Sequence, residues 1–208
     1  MSQPSPVQVL LRRPSFWFFI VGSLALGAFA VALGRQHRTV ELPILASVPS
    51  FSLTSQDGKT VTPESLKGQV WVANFIFTRC PTICPTFTAK MASVQQQSAE
   101  DLSALKLVSI SVDPKYDTPE RLHDYAVKFK ADASRWSFLT GDEAVIRAVS
   151  EGVMQPLDRG PDEDLASLVH GSYFLLIDGD AKVRGFYKFN EPGAVESVIR
   201  DAKQLIER

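Results

Sequence analysis

Residues 70–87 read V-W-V-A-N-F-I-F-T-R-C-P-T-I-C-P-T-F, an apolar run that leads directly into two cysteines. The run from Val70 to Thr78 is rich in β-branched and aromatic residues, which predicts a strand buried on both faces. Pro81 is suited to the first turn of a helix, and residues 85–98 are helical in composition. The stretch therefore predicts a buried strand followed at once by a helix, with both cysteines at the junction.

The segments on either side of this unit predict the rest of the domain. They are a hairpin over 51–61, strands over 105–112, 136–139, 172–177 and 183–189, helices from Pro119, over 143–149 and over 192–206, and a loop over 152–168. The resulting order is β-β-(β-α-β-α-β-α)-loop-β-β-α, a parallel core followed by a hairpin and a terminal helix. This order predicts an α/β thioredoxin-like fold, a mixed central sheet flanked by helices, for residues 50–208.

The composition of the 208 residues is that of a globular protein, with 45% hydrophobic and 22% charged residues and a formal net charge of −1. This average conceals a split, because residues 1–38 contain four arginines and no acidic residue. Residues 39–208 contain all 23 acidic residues but only 18 of the 22 basic ones. The chain therefore has no basic surplus of the kind that nucleic-acid binding requires.

Residues 14–34 form an uncharged, mainly apolar segment that is long enough to span a bilayer as a helix. Arg12 and Arg13 precede it, and basic residues favour the cytoplasmic side. We therefore expect residues 1–13 in the cytoplasm, a single transmembrane anchor over 14–34, and a tether over 35–49. The domain would then lie on the periplasmic or extracytoplasmic side of the cell inner membrane. A cleaved signal peptide is the alternative, since residues 28–30, A-F-A, fit a cleavage site.

Cys80 and Cys84 are the only two cysteines in the chain, so a disulfide framework is excluded. Their spacing predicts two sulfurs on one face of a helix, close to its N-terminus, where the helix dipole favours thiolates. Arg79 adds a positive charge next to them. Such a pair can chelate Cu(I), and less selectively zinc, or it can close a disulfide.

Two thiolates do not complete a metal site, and the candidates for a third ligand are His37, His123 and His170. His37 lies beside the predicted anchor, and His123 is predicted to lie on the surface of an amphipathic helix. His170 follows a polar loop and opens the predicted strand 172–177, from which its side chain can reach the cysteines. We therefore expect His170 to be the third ligand.

Three motifs together carry a resemblance to a known family. They are F-I-F-T-R-C-P-T-I-C-P-T-F at 75–87, S-V-D-P-K-Y-D-T-P-E-R-L-H-D-Y at 111–125 and H-G-S-Y-F-L-L-I-D at 170–178. The chain resembles the Sco family, also called SenC or PrrC, over residues 48–208. Members of that family are membrane-anchored, thioredoxin-like proteins of cytochrome c oxidase assembly.

This resemblance implies a function and a ligand set. In the family the two motif cysteines and the downstream histidine bind one copper ion, as Cu(I) or Cu(II), which corresponds to Cys80, Cys84 and His170 here. The family delivers copper to the dinuclear copper site of cytochrome c oxidase subunit II, reduces the cysteines of that site, or does both. The implied partners are subunit II or a similar copper-site protein and other copper chaperones.

The sequence also departs from the family pattern at three positions. Thr82 occupies a place that is usually Asp, Val169 occupies one that is usually acidic, and Gly171 separates the histidine from the following serine. The loss of two carboxylates beside the site is expected to alter the redox potential and the docking of partners.

Several other side chains have alternative interpretations. Met91 and Met154 are soft ligands, although packing is the simpler role for Met91. Asp113 and Asp117 are expected to shape a turn and cap the next helix, with a role in shaping the site as the alternative. The acidic run 162–164 is expected to be a solvated loop or else a docking site for a basic partner.

The same cysteines support rival functions. A membrane-anchored thiol–disulfide oxidoreductase would use Cys80 as the attacking thiol and Cys84 as the resolving thiol, and a redox sensor would use the same pair. A thiol peroxidase is disfavoured because the chain has no separate resolving cysteine. A copper metallochaperone without enzymatic turnover is the function that we expect.

Overall fold

The computed structural model describes residues 18, 22–24, 26–27, 41–155 and 173–207. The chain divides into two units, residues 1–41 and residues 42–208. In the first unit, residues 18, 22–24 and 26–27 are helical and exposed, and Glu41 is exposed outside any helix. Most of the predicted span 14–34 lies outside the described residues. Within the ranges that are described, no helix combines the length and the apolar character needed to cross a membrane.

In the second unit, the described residues contribute eight strands to one mixed sheet. They are β1 (Ala46–Ser47), β2 (Leu53–Ser55), β3 (Thr60–Val61), β4 (Trp71–Ile76), β5 (Lys106–Ser111), β6 (Trp136–Thr140), β7 (Tyr173–Ile177) and β8 (Lys182–Lys188). Their order across the sheet is β1-β8-β7-β4-β5-β6-β2-β3. Strands β4, β5 and β6 run parallel, and the other neighbours pair antiparallel.

Helices connect and cover these strands. They are α1 (Ile83–Gln97), α2 (Pro119–Lys128), α3 (Glu143–Gly152) and α4 (Ala194–Ile206), together with a short 3₁₀ turn (Glu64–Leu66). Helix α1 packs against α4, and α2 packs against β6 and β2. The predicted architecture, a mixed α/β sheet flanked by helices, is confirmed.

Helix α2 begins where the sequence predicts. Thr118 is its N-cap, and the Thr118 side chain accepts a hydrogen bond from the Arg121 backbone N–H, while Pro119 occupies the first turn. Helix α4 begins two residues later than Pro192, because Gly193 precedes it with a φ of 77°, a left-handed conformation. Helix α3 extends three residues beyond its predicted end at residue 149.

The sheet includes two residues of the stretch predicted as a tether. Ala46 and Ser47 form β1 and pair with Val183 and Lys182 of β8. A strand of two residues is too short to show a period in the sequence, so only its partner strand reveals it.

Strand β4 forms the centre of the sheet, and all six of its residues are buried. Asn74 is its one polar side chain. Ser109 Oγ donates to Asn74 Oδ1 at 2.7 Å and in turn accepts a hydrogen bond from Trp136 Nε1 at 3.0 Å. Because β4 and β5 are parallel, their carboxyl ends meet at one edge of the sheet. The cysteines follow β4 at that edge.

Candidate metal centre

The two cysteines lie on either side of a helix start rather than within one helix. Helix α1 begins at Ile83, so Cys84 lies in its first turn and Cys80 lies in the loop between β4 and α1. The prediction that both sulfurs share one face of a helix was therefore wrong. The physical reason is Pro81, which disfavours a helical conformation for the residue before it. Pro85 is tolerated because the first backbone N–H groups of a helix have no partner within it.

The sulfur atoms are nevertheless brought together. The backbone N–H of Cys84 donates to Cys80 Sγ at 3.5 Å, and Thr82 Oγ1 lies 3.9 Å from the same sulfur. Both cysteines are free thiols, and both are buried. Cys80 retains a small exposed fraction of 6%, whereas Cys84 has none. A ligand or a reacting group from solvent therefore meets Cys80 first.

The surroundings of the two thiols shift their pKa values in opposite directions. Burial opposes the ionisation of Cys80, but hydrogen bonds from backbone N–H groups, that of Cys84 first among them, outweigh it and lower the pKa of Cys80. At Cys84, burial prevails over a hydrogen bond from the Phe77 backbone and raises the pKa of that thiol to about 12. Cys80 is therefore the first of the two to ionise, and Cys84 keeps its proton at neutral pH.

Arg79 was expected to favour the thiolates, but its side chain is engaged elsewhere. Its Nε lies 2.5 Å from Asp113 Oδ2, and its guanidinium group faces the ring of Tyr116. The pKa of Cys80 is lowered by backbone N–H groups instead. Arg79 and Asp113 form an ion pair beside the cysteine loop, which leaves the guanidinium half exposed to solvent.

Asp117 connects the two strand ends that border the cysteines. Its carboxylate accepts hydrogen bonds from the Thr78 backbone N–H at 3.0 Å, from the Thr78 hydroxyl and from Ser111 Oγ. Asp117 has no exposed surface. Since Thr118 caps helix α2, the expected capping role belongs to that residue, and Asp117 instead holds Thr78, one residue before Arg79 and two before Cys80.

Thr78 and Ser111 are thus site residues that the sequence reasoning missed. Each is an ordinary hydroxyl residue at the end of an apolar strand. Their role depends on the parallel pairing of β4 with β5, which brings residues 33 positions apart in the sequence to one edge. The aspartates of the segment S-V-D-P-K-Y-D were the only available signal.

The other candidate ligands that the structure describes are Met91, Met154 and His123. Met91 is fully buried in the core cluster, which confirms its packing role. Met154 is half exposed, two residues after the end of α3. His123 lies on the surface with its Nδ1 3.9 Å from Asp57 Oδ1. His37, Val169, His170 and the acidic run 162–164 lie outside the described residues.

Across the described ranges 41–155 and 173–207, no group of three or more His, Cys, Asp or Glu is arranged to hold a metal ion. The cysteine pair is the candidate for metal binding that these ranges contain. Two sulfurs of soft character at a helix N-terminus suit Cu(I), and binding would displace the proton that Cys84 holds.

Comparisons with known proteins agree with one another. The protein-family model for SCO1/SenC matches residues 44–207 of this chain. The SCO1 protein homolog of Bacillus subtilis is 35% identical over 181 residues, which cover 84% of this chain and 90% of that protein.

Two solved structures are similar to this chain. One is BsSco, a member of the Sco family of cytochrome c oxidase assembly proteins in which a disulfide switch was identified, with 34% identity, a TM-score of 0.73, and coverage of 82% of this chain and 99% of that one. The other is Bradyrhizobium japonicum ScoI with copper bound, with 29% identity, a TM-score of 0.64, and coverage of 77% and 99%.

Proposed function

This chain belongs to the SCO1/SenC family, and from that premise we propose that it is a copper metallochaperone. It binds one copper ion through Cys80, Cys84 and His170, and it helps to assemble the dinuclear copper site of a cytochrome c oxidase. The observation that carries the proposal is the cysteine pair itself. The contact of 3.5 Å between the Cys84 backbone N–H and Cys80 Sγ holds two soft ligands close together just beneath the surface, with Cys80 nearer to solvent.

The described residues support His170 as the third ligand. Strand β7 is antiparallel to β4, so β7 begins beside the end of β4 from which the cysteine loop departs. Phe174 of β7 packs against Phe87 of α1, with ring centroids 4.9 Å apart. His170 precedes Phe174 by four residues, and four residues span at most about 14 Å. Cys84 precedes Phe87 by three residues in the same helix, which supports a ligand from the segment just before β7.

The opposed pKa values of the thiols suit a site that takes up copper and releases it. Cys80, ionised first, provides the entry ligand, whereas Cys84 binds the metal only by giving up a proton. A partner that carries its own thiolates can compete for the ion, and the return of the proton to Cys84 then favours departure of the metal. The copper-bound relative shows that this fold accommodates copper.

The partner and the location follow from the same proposal. We infer that the partner is cytochrome c oxidase subunit II or a similar copper-site protein. Residues 14–34 anchor the chain in the inner membrane as a single span, and the domain faces the periplasmic or extracytoplasmic side. The apolar segment and the arginines before it support this topology.

A thiol–disulfide oxidoreductase is the second candidate, and one observation favours it specifically. A low-pKa, partly accessible Cys80 next to a buried, protonated Cys84 is the arrangement of an attacking and a resolving thiol. The relative with a disulfide switch has the same fold. Both functions require both cysteines, so cysteine variants do not separate them.

His170→Ala does separate them, because dithiol exchange needs no imidazole ligand and copper delivery does. We expect this variant to retain most of its dithiol exchange in vitro and to lose oxidase assembly in cells. The assay is oxidase activity in a deletion strain with limiting copper, complemented by each variant. His123→Ala, a surface histidine, is the matched control and should restore full activity. Full rescue by His170→Ala without rescue by Cys80→Ser would favour the oxidoreductase.

A further inference from the structure

An exposed cationic surface lies next to the cysteine loop. We call it the Tyr116 face, and it consists of Arg79, Tyr116, Arg121 and Lys128. The guanidinium carbon of Arg79 lies 4.9 Å from the centroid of the Tyr116 ring, and that of Arg121 lies 3.8 Å from it. One exposed aromatic ring thus lies within cation–π distance of two guanidinium groups.

The Tyr116 face carries more positive charges than negative ones. Asp113 pairs with Arg79, and Arg121 donates from Nη1 to the Tyr116 backbone carbonyl at 3.1 Å. Among residues 41–155 and 173–207, no carboxylate lies within ion-pair distance of Arg121 or Lys128. The face therefore presents cationic groups that the described part of the fold does not neutralise.

A surface cleft of about 260 Å³ joins this face to the cysteine loop. It is lined by Thr78, Tyr116, Arg121, Asp124, Tyr125 and Lys128. Thr78 is followed directly by Arg79 and Cys80, so the cleft borders the reactive thiol. Its lining holds two cations against one carboxylate, Asp124.

The charge of this face is opposite to that of the rest of the domain. Residues 39–208 contain 23 acidic and 18 basic side chains. The three cations of the Tyr116 face have two neighbouring carboxylates, Asp113 and Asp124, so this face is locally cationic. The exposed side chains nearby are also those that dominate interfaces: Tyr116 is 37% exposed, Ile83 in the first turn of α1 is 40% exposed, and arginine and tyrosine are enriched at binding hot spots.

We propose that the Tyr116 face is the docking surface for an acidic segment of a partner protein. That partner exchanges copper with Cys80, or exchanges electrons with it through thiol–disulfide exchange. This inference rests on the proposed function and deepens it, because it assigns a charge to the partner. Carboxylates would pair with the forked guanidinium groups and orient the partner's sulfurs toward Cys80. Opposite charge would also raise the encounter rate, and added salt would reduce it.

The test uses the full chain, reduced and metal-free, in a nonionic detergent. The substrates are two synthetic peptides that each contain one disulfide, flanked by glutamates in one and by lysines in the other. The Cys80 thiolate attacks a peptide sulfur and breaks the peptide disulfide. Cys84 then attacks Cys80 and releases the peptide as a dithiol, so that two electrons pass to the peptide. One of its two protons comes from Cys84 and the other from solvent.

At low ionic strength we expect the glutamate peptide to be reduced about tenfold faster than the lysine peptide. Arg121→Glu should abolish this preference, and the milder Arg121→Gln should reduce it. Lys67→Glu is the matched control, because it makes the same change of charge at an exposed residue before the opposite end of β4. This control should keep the full preference, and about 0.5 M salt should remove it from every variant.

Equal rates for the two peptides in the wild-type chain would overturn the proposal, and so would an equal effect of Lys67→Glu and Arg121→Glu. A rate that changes with added phosphatidylglycerol but not with peptide charge would assign the face to an anionic lipid surface and would also overturn it. Copper stoichiometry is measured separately. A wild-type chain that binds no copper yet prefers the glutamate peptide would contradict the proposed function and leave the docking surface in place.

Discussion

A charged side chain is buried at each end of the parallel strands, and the two side chains have different roles. At the amino ends of β5 and β6, buried Arg135 donates to the backbone carbonyls of Gln95, Leu102 and Leu105 and to Ser98 Oγ. We call these five residues the arginine end. At the carboxyl ends, buried Asp117 accepts from Thr78 and Ser111 beside the two cysteines. We call Thr78, Cys80, Cys84, Ser111 and Asp117 the cysteine end.

The two buried charged residues have different roles: Arg135 stabilises the fold, and Asp117 also acts on a reactive pair of thiols. Arg135 fixes the end of α1 to the start of β5, and its neighbours are carbonyls and a hydroxyl that do no chemistry. Asp117 fixes the end of β4 beside two thiols, of which Cys80 has a lowered pKa and Cys84 a raised one. Buried charge at the arginine end therefore stabilises the fold, whereas buried charge at the cysteine end also sets the properties of a reactive pair.

The largest effect is expected at the arginine end. Arg135→Met leaves several buried carbonyl groups without a donor, and we expect the free energy of unfolding to fall by about 4 kcal/mol. Denaturant unfolding of the reduced chain measures this loss. Arg147→Met, at a partly exposed arginine that contacts Glu143, should cost about 0.5 kcal/mol. An Arg135→Met chain with unchanged stability would contradict the structural role of this end.

The second effect concerns the two thiols of the cysteine end. At pH 8 we expect iodoacetamide to modify Cys80 at least about 100-fold faster than Cys84, because only the thiolate reacts and the pKa of Cys84 is about 12. Peptide mapping by mass spectrometry after timed alkylation gives both rates. Equal modification of the two cysteines would remove the asymmetry on which the order of ligand entry depends.

Alkaline pH should destabilise the fold through Cys84. Its pKa in the folded chain is raised to about 12 from an ordinary value of 9.0, so the folded state favours the neutral thiol. This stability is complete below the unfolded pKa and is lost as pH rises toward the folded one. Between pH 9 and pH 10.5 we expect a loss of about 2 kcal/mol that is absent in Cys84→Ser. Comparing the two chains isolates Cys84 from Tyr125, whose pKa burial also raises to about 12.

The smallest effect is expected from the charge of Asp117. Asp117→Asn keeps one acceptor oxygen but removes a negative charge that raises the pKa of Cys84. We expect a loss of about 1 kcal/mol in stability and a severalfold faster alkylation of Cys84. Ser98→Ala, at the arginine end, is the control and should leave the alkylation rate of Cys84 unchanged. If both variants change that rate alike, the two ends are not independent.

Much of the fold was predictable because its central elements carry strong local patterns. Strand β4 is apolar except for Asn74, β5 is rich in aliphatic residues, and the N-terminus of α2 is marked by Thr118 and Pro119. The start of α1 was not predictable from spacing alone, since Pro81 and Pro85 are each compatible with a first helical turn. The backbone before Pro81 decides it.

The details of the site depend on contacts between distant parts of the chain. Asp117 reaches Thr78 across 39 positions, and Arg79 reaches Asp113 across 34. Both contacts follow from the register of β4 with β5, which residue types do not reveal. The order in which the thiols ionise depends on burial and on backbone N–H groups, and it emerges only once the loop is folded. The role of His170 remains a prediction from the sequence.

X-ray absorption at the copper edge of the full chain loaded with one equivalent of Cu(I) tests the central claim most directly. We predict two sulfur neighbours and one nitrogen neighbour of the imidazole type. His170→Ala should lose the nitrogen and keep both sulfurs, and His123→Ala should retain the wild-type spectrum. A wild-type site with sulfur neighbours alone, or an unchanged nitrogen signal in His170→Ala, would contradict copper binding by Cys80, Cys84 and His170.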